Sequence, residues 1–310
     1  MPWPFCIAEE FAVEWSVAES RDALIRGRAR VGESEITVCT DGTCRFDGGA
    51  MFGVVPKTMW SKRVTADERN CVELGLNCVV VRVGGRTVLI ETGFGNKLPP
   101  KFAEIYATTQ RLPASLEAAG VTQESVDFVI NTHLHWDHCG WNTVEDASGA
   151  VRAFFPNATY VMHAGEIAHG RRQTLRDRVS YVSANYEPLL AEGRVREVRV
   201  TGAGEREEVC PGVSVECFPG HTRQMLVVHV ESGGERACFT SDLLPTAAHV
   251  PPAWVMGFDL DPLRTIEEKE RFYGFALRED VLLLLPHDHA QCMGRLRRDE
   301  KGGFALSATA

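Results

Sequence analysis

Asn131-Thr132-His133-Leu134-His135-Trp136-Asp137-His138-Cys139-Gly140-Trp141 is the stretch on which the reading of this chain turns. It follows an apolar, strand-like run, Val126-Asp127-Phe128-Val129-Ile130. Imidazole and carboxylate are ligands of divalent transition ions, and here His133, His135, Asp137 and His138 crowd into one short segment. In an extended turn His133 and His135, two apart, can aim both rings to one side. The stretch reads as part of a metal cradle delivered by a strand.

Working outward, further candidate ligands also sit just after strand-like runs. His221 follows Val213–Phe218 in Pro219-Gly220-His221, Asp242 follows Ala237–Thr240, and His287 follows Val281–Leu285. Loops after strands converge on one edge of an α/β sheet system, where such proteins build sites. The types suit two divalent ions. His133, His135 and His221 make one pocket, and Asp137, His138 and His287 a second, with Asp242 bridging them through its two oxygens. Taken singly, each has a structural explanation. Together they do not, because clustered buried His and Asp are costly unless paired or metal-bound. Zinc suits the set best, while iron, cobalt and manganese accept the same ligands.

Composition bounds the alternatives. The chain has 310 residues, 44% apolar and 24% charged, which is enough for a sizeable core. A net charge of −9 speaks against nucleic acid as a partner. There is no apolar run long enough to span a membrane and no basic-then-apolar leader pattern at the start. Ten cysteines are scattered with no C-x-x-C pair, which reads as reduced thiols in a cytoplasmic protein. Cys139 beside the cradle is a further thiolate candidate. A homodimer is compatible with the sequence and not required by it.

The element order reads as a single α/β domain over 36–310, preceded by an extension over 1–35 with helix-forming content from Glu10 to Arg30. Ile36–Cys39 and Cys44–Phe46 read as two short strands around an Asp41-Gly42 turn. Asn77–Val83 and Thr87–Ile90 form a hairpin across Gly84-Gly85. Residues 99–119 read as helical with a second start at Pro113, and 171–193 as a polar helix bearing Arg171, Arg172, Arg176 and Arg178. A helix is expected over 262–276, and the last 15 or so residues lack a pattern. Residues 47–57 read as an apolar loop, a candidate wall over a pocket. His163 and His169 share no ligand spacing with the cradle and read as packed or exposed histidines.

His-Leu-His-Trp-Asp-His, with Pro-Gly-His221, Ser-Asp242 and Pro-His287-Asp following in order, resembles the ligand signature of the metallo-β-lactamase fold. The resemblance implies an αβ/βα four-layer sandwich with a dinuclear site at its edge. Asp47-Gly-Gly-Ala-Met-Phe-Gly-Val-Val-Pro-Lys57 with Trp60, Asp242-Leu-Leu-Pro-Thr246 with His249, and Trp254-Val-Met-Gly-Phe-Asp259 resemble the YtnP-like branch of quorum-quenching lactonases. That branch implies ring-opening of N-acyl-homoserine lactones, a small-molecule substrate attacked by a hydroxide bridging the metals. Asp137 would be the catalytic proton carrier. Met51, Phe52, Val54 and Trp60 would line the acyl-chain side, with Trp136, Trp141 and Trp254 as further candidates. Glu91 stands where the family usually has Asp, and is expected to orient a ligand histidine. Better-known lactonases carry a tyrosine where Pro245 stands. His249 and His289 are supporting or pocket candidates, and His287 is favoured over His289 as the last ligand.

A phosphotriesterase or arylesterase of the methyl-parathion-hydrolase type, acting on an ester, is the nearest alternative on this fold. A metal-binding protein without turnover is the alternative from another class.

Overall fold

In the computed structural model, residues 24–308 are described, except 203 and 301. The first sheet is built mainly from β1 (Ile25–Val31), β2 (Ser34–Asp47), β3 (Cys71–Val83), β4 (Arg86–Ile90) and β5 (Phe128–Ile130). After a small separate hairpin of β6 (Thr143–Glu145) and β7 (Val151–Ala153), β8 (Thr159–His163) and β9 (Val195–Val198) complete it in the order β1-β2-β3-β4-β5-β8-β9. The second sheet runs in chain order through β10 (Arg206–Cys210), β11 (Val213–Cys217), β12 (Leu226–Ser232), β13 (Glu235–Phe239), β14 (Leu282–Leu284), β15 (Met293–Arg298) and β16 (Phe304–Ala308).

The alternation of side chains along β3 explains the layering. Val79 and Val81 face Val215, Val228 and Phe239 of the second sheet. Cys78 and Val80 face the other way, against the helices α4 (Leu112–Ala118), α5 (Ala164–Arg172) and α6 (Glu187–Ala191). A strand covered on both faces carries a near-continuous apolar run, which is what Cys78–Val83 is. Outside the second sheet, Phe272, Tyr273 and Ala276 of α7 (Pro262–Arg278) pack on Val227, Cys238 and Leu283. The result is helices, sheet, sheet, helix: the four-layer sandwich expected.

Parallel pairing gathers the site. Ile90 pairs Ile130 where β4 and β5 run together, and Phe239 pairs Leu284 where β13 and β14 do. The chain leaves these strands at neighbouring points of one sandwich edge, so the segments starting at Glu91, Asn131, Thr240 and Leu285 converge there.

Several expectations are corrected. The first sheet begins at Ile25, so 25–35 belong to the sheet-bearing domain and not to an extension. Arg26, Arg28 and Arg30 alternate with inward Ile25, Gly27, Ala29 and Val31, a period of two that marks a strand and not a helix. The remainder of the expected helix, up to residue 23, lies outside the described residues. Asp41-Gly42 is no hairpin turn but an irregularity within the single strand β2, where pairing to β3 shifts between Thr40 and Thr43. Its carboxylate turns inward and accepts N–H bonds from Phe94 at 2.7 Å, Arg111 and Leu112 at 2.8 Å, and the Trp141 indole at 3.0 Å.

Residues 47–57 are not wholly loop. Asp47 caps a one-turn helix, α1 (Gly48–Phe52), by accepting from the Ala50 N–H at 3.0 Å, and α2 (Lys57–Trp60) follows. The 99–119 segment divides as expected into α3 (Pro100–Tyr106) and α4. The 171–193 segment is not one helix: α5 ends at Arg172, Gln173 turns to φ +43°, and short 3₁₀ turns precede α6. The patternless C-terminus forms the β15–β16 hairpin. Among the described residues, no helix is long and apolar enough to cross a membrane.

Candidate metal centre

Seven side chains converge at this edge. Nε2 of His133 and Nε2 of His221 each stand 3.1 Å from Nδ1 of His135. On the other side, Nε2 of His138 stands 3.2 Å from Nε2 of His287 and 3.7 Å from Oδ2 of Asp137. Asp242 lies between. Its Oδ2 is 3.2 Å from His221 Nε2, and its Oδ1 is 3.2 Å from His287 Nε2 and 3.6 Å from His138 Nε2. The trio His133, His135 and His221 and the trio Asp137, His138 and His287 each place their donor atoms within 4.8 Å of one another.

The chemistry of the donors tests whether an ion fits. Nδ1 of His221 bonds a carboxylate oxygen of Asp259 at 2.9 Å, and Nδ1 of His287 bonds the Gly75 carbonyl at 3.0 Å. These outer nitrogens therefore carry the protons, and the inner nitrogens present lone pairs. Ring nitrogens crowded to 3.1–3.2 Å repel unless positive charge, a proton or a metal ion, lies among them. Metal–nitrogen bonds of about 2.0–2.1 Å at a tetrahedral angle put ligand nitrogens roughly 3.3 Å apart, close to this spacing. Among the described residues, Asp242 Oδ1 is buried and makes no hydrogen bond, although two ring nitrogens face it. Residues and spacing fit two divalent ions.

The electrostatics agree. Burial, followed by the neighbouring imidazoles, holds His133 and His135 well below the usual histidine range. Burial also opposes charge on His138, but Asp137, Asp242 and Glu91 outweigh it and push it up to about 10. Burial resists ionisation of Asp242, yet His287, His138 and His221 hold its carboxyl well below the normal range. The carboxylates thus create a field that favours positive charge at the centre.

Glu91 also lies near His133 and His138. Its Oε1 accepts from the Thr132 N–H at 3.1 Å and from the Thr132 hydroxyl, and stands 3.5 Å from Nδ1 of His138. It therefore lies on the outer side of that ring and leaves Nε2 facing the centre. Glu91 sits at φ +63°, a left-handed conformation uncommon for a residue with a Cβ. Cys139 is not a ligand: its buried thiol points to the carbonyls of Leu134 and His135. His163 caps α5 by accepting from Gly165 N–H, and His169 pairs with Asp177.

The pocket candidates divide. Met51, Phe52, His249, His287 and His289 line a cavity of about 560 Å³ beside the centre. Val54 and Trp60 do not. The Val54 side chain is 91% exposed, and Trp60 is buried against Phe52 with ring centroids 5.1 Å apart. His249 belongs to none of the metal-spaced groups among the described residues. It stacks on Phe52 at 4.6 Å and bonds the Met51 carbonyl at 2.9 Å, so it supports the wall and not the metals. Trp136 is one wall of an aromatic group with Phe94 at 5.0 Å, Tyr106 at 5.2 Å and Phe46 at 6.1 Å. Trp141 is core, bonded to Asp41, and Trp254 meets Phe52 edge-on at 5.9 Å.

Two buried residues escape a reading of the sequence by spacing. Asp259 backs His221 from 38 positions away. Lys269, on α7, donates to the carbonyls of His249 at 2.6 Å, Trp254 at 2.8 Å and Pro251 at 3.1 Å, tying down the segment behind the wall.

Residues 72–287 match the profile of the Metallo-beta-lactamase superfamily. Among solved structures, the chain is similar to a probable metal-dependent hydrolase from Staphylococcus aureus, at 27% identity and TM-score 0.80, covering 91% of this chain and 100% of that one. It is also similar to AidC, a dizinc quorum-quenching lactonase solved with the product N-hexanoyl-L-homoserine, at 17% identity and TM-score 0.74, covering 93% and 99%. A third similar structure is AbOPH, a hydrolase in the beta lactamase superfamily, at 20% identity and TM-score 0.75, covering 91% and 97%.

Proposed function

The chain belongs to the metallo-β-lactamase superfamily, and on that footing we propose that it is a dinuclear-metal hydrolase that opens the lactone ring of N-acyl-homoserine lactones. The observation that carries the hydrolase reading is the straddling carboxylate. Asp242 addresses the three-histidine pocket through one oxygen and the Asp137/His138/His287 pocket through the other, each at 3.2 Å from a ring nitrogen. When bound, two divalent ions supply a nucleophile from water at neutral pH and polarise the carbonyl under attack. Zinc is the ion we assign, since nitrogen and carboxylate ligands in this number suit it.

The chain's own groups do the rest. Asp137 has the most exposed carboxylate of the set, at 15% against 6% for Asp242, so it can meet both the centre and the substrate. It is the residue placed to carry a proton to the departing ring oxygen. Met51 and Phe52 offer apolar surface to an acyl chain beside His287. Pro245 stands where better-known lactonases have tyrosine, while Tyr106 brings a half-buried phenol beside Trp136 into the field of Asp137. The free, mostly buried cysteines support a reducing, cytoplasmic setting.

A second reading, hydrolysis of an aryl ester or phosphotriester, is favoured by the ring group Phe46, Tyr106, Trp136 and Phe258, which suits a flat leaving group. The test is a substrate panel: acyl-homoserine lactones of graded chain length against paraoxon-type esters, with metal-depleted protein as control. Metal-dependent turnover of the lactones supports the proposal. Protein that holds two ions and turns over only the esters replaces it with the second reading, and turnover of neither refutes both.

A further inference from the structure

We propose that Asp259 is the positioning residue of the three-histidine pocket, fixing His221 in the tautomer and orientation that present Nε2 to a metal ion. This rests on the metal-binding reading above.

Asp259 is 1% exposed, and its Oδ1 lies 2.9 Å from Nδ1 of His221. Its Oδ2 is buried with no hydrogen-bond partner among the described residues. A carboxylate in that state is costly, so packing alone does not explain it. A carboxylate behind a ligand histidine supplies a reason: it holds the proton on Nδ1 and makes Nε2 a better donor to the ion. Among the described residues, His221 is the one member of its pocket with that backing. His133 has only the Thr132 hydroxyl at 3.1 Å, and the outer Nε2 of His135 has no hydrogen-bond partner among the described residues.

The carboxylate is held in register by backbone. Leu260 N–H bonds the His221 carbonyl at 3.1 Å, and Asp261 N–H bonds the Gly220 carbonyl at 2.9 Å, so 259–261 are laced to the ligand's own segment. Gly220 has no room for a side chain, since a Cβ there would stand 2.8 Å from the backbone of Thr265. Arg176 donates to the carbonyls of Gly257 at 2.5 Å and Asp259 at 3.1 Å from outside. Gly257 N–H in turn bonds the Ala50 carbonyl at 2.8 Å. The turn that orients the metal ligand is thereby also the turn that docks α1, the wall of the cavity.

The experiment is zinc binding, measured by titration calorimetry and by metal analysis after dialysis against chelators of graded strength. Wild type should hold two ions. Asp259→Asn keeps shape and volume but not the charge, and should weaken one of the two ions by roughly 10- to 100-fold while the other is retained. Asp259→Glu should recover part of the loss. Arg176→Ala, a change at the surface, should weaken the same ion by roughly threefold or more, and it serves if D259N does not fold. Two ions at wild-type affinity in folded D259N, or in R176A where D259N is unfolded, would overturn the proposal. Wild type that binds no ion would instead refute the metal-binding reading itself.

Discussion

Nε2 of His287 faces Nε2 of His138 across 3.2 Å, with its own Nδ1 committed to the Gly75 carbonyl at 3.0 Å. His289, two residues on, is partly exposed and belongs to none of the metal-spaced groups among the described residues. His287→Ala should therefore remove about one metal equivalent and most of the activity, whereas His289→Ala should leave both ions bound. Metal analysis of the purified variants decides it. Loss of an ion from H289A with retention in H287A would reverse the assignment.

Metal removal should cost stability as well as activity. The centre buries inward-facing lone pairs and the unbonded Oδ1 of Asp242, which repel or stay unsatisfied without a cation. Ions present at 1,000 times their dissociation constant stabilise the fold by about 4 kcal/mol each, if the unfolded chain does not bind them. Chelation should lower the melting temperature by on the order of 10 °C. Zinc should restore it and magnesium should not, because magnesium prefers oxygen ligands. A melting temperature indifferent to chelator would show that the centre does not hold structural charge in this way.

What the sequence made legible follows from range. The cluster His133–His138 is local, and His221, Asp242 and His287 each announce themselves as polar residues just past an apolar run. In the fold, His133, His135 and His221 gather on one side of Asp242, and Asp137, His138 and His287 on the other. Asp259 carried no such signal, because its role exists only once the turn after β11 and the turn before α7 lie side by side. Asp41-Gly42 had the composition of a turn, and tertiary packing overrode it by offering Asp41 four N–H donors. The arginines of β1 favoured helix by propensity, while their spacing of two favoured strand, and the pairing with β2 decided. Val54 was misread because its apolar neighbours Met51 and Phe52 turn inward on α1 while it lies beyond the Gly53 cap.

Phe52 lies between Trp60 at 5.1 Å and His249 at 4.6 Å, nearly parallel to both, and also lines the cavity beside His287. Phe52→Ala should cost about 3–5 kcal/mol of stability, as removal of a buried ring does. Phe52→Leu keeps most of the apolar surface and should cost less. If the cavity takes an acyl chain, F52L should raise KM more for long-chain than for short-chain lactones, with kcat nearly unchanged. Equal effects across chain lengths would place the chain elsewhere.

His249 gives the fold a built-in sensitivity to acid. Its Nδ1 lies 2.7 Å from the Thr246 hydroxyl and its Nε2 is 2.9 Å from the Met51 carbonyl, so both ring nitrogens are committed with a single proton between them. Burial above all, assisted by the charge of Lys269, pushes it down to about 3 from an ordinary 6.5. The unfolded chain therefore takes up a proton as pH falls through 6.5 while the folded chain does not. The stability this neutral histidine supports is complete above pH 6.5 and is lost progressively toward pH 3. Between pH 6.5 and 4 the loss amounts to roughly 3 kcal/mol. His249→Gln keeps a donor for Met51 but has no site to protonate. Over that interval it should lose about 3 kcal/mol less than wild type in denaturant titrations, whatever the metal ligands contribute to both proteins. Identical slopes in the two proteins would show that acid sensitivity arises elsewhere.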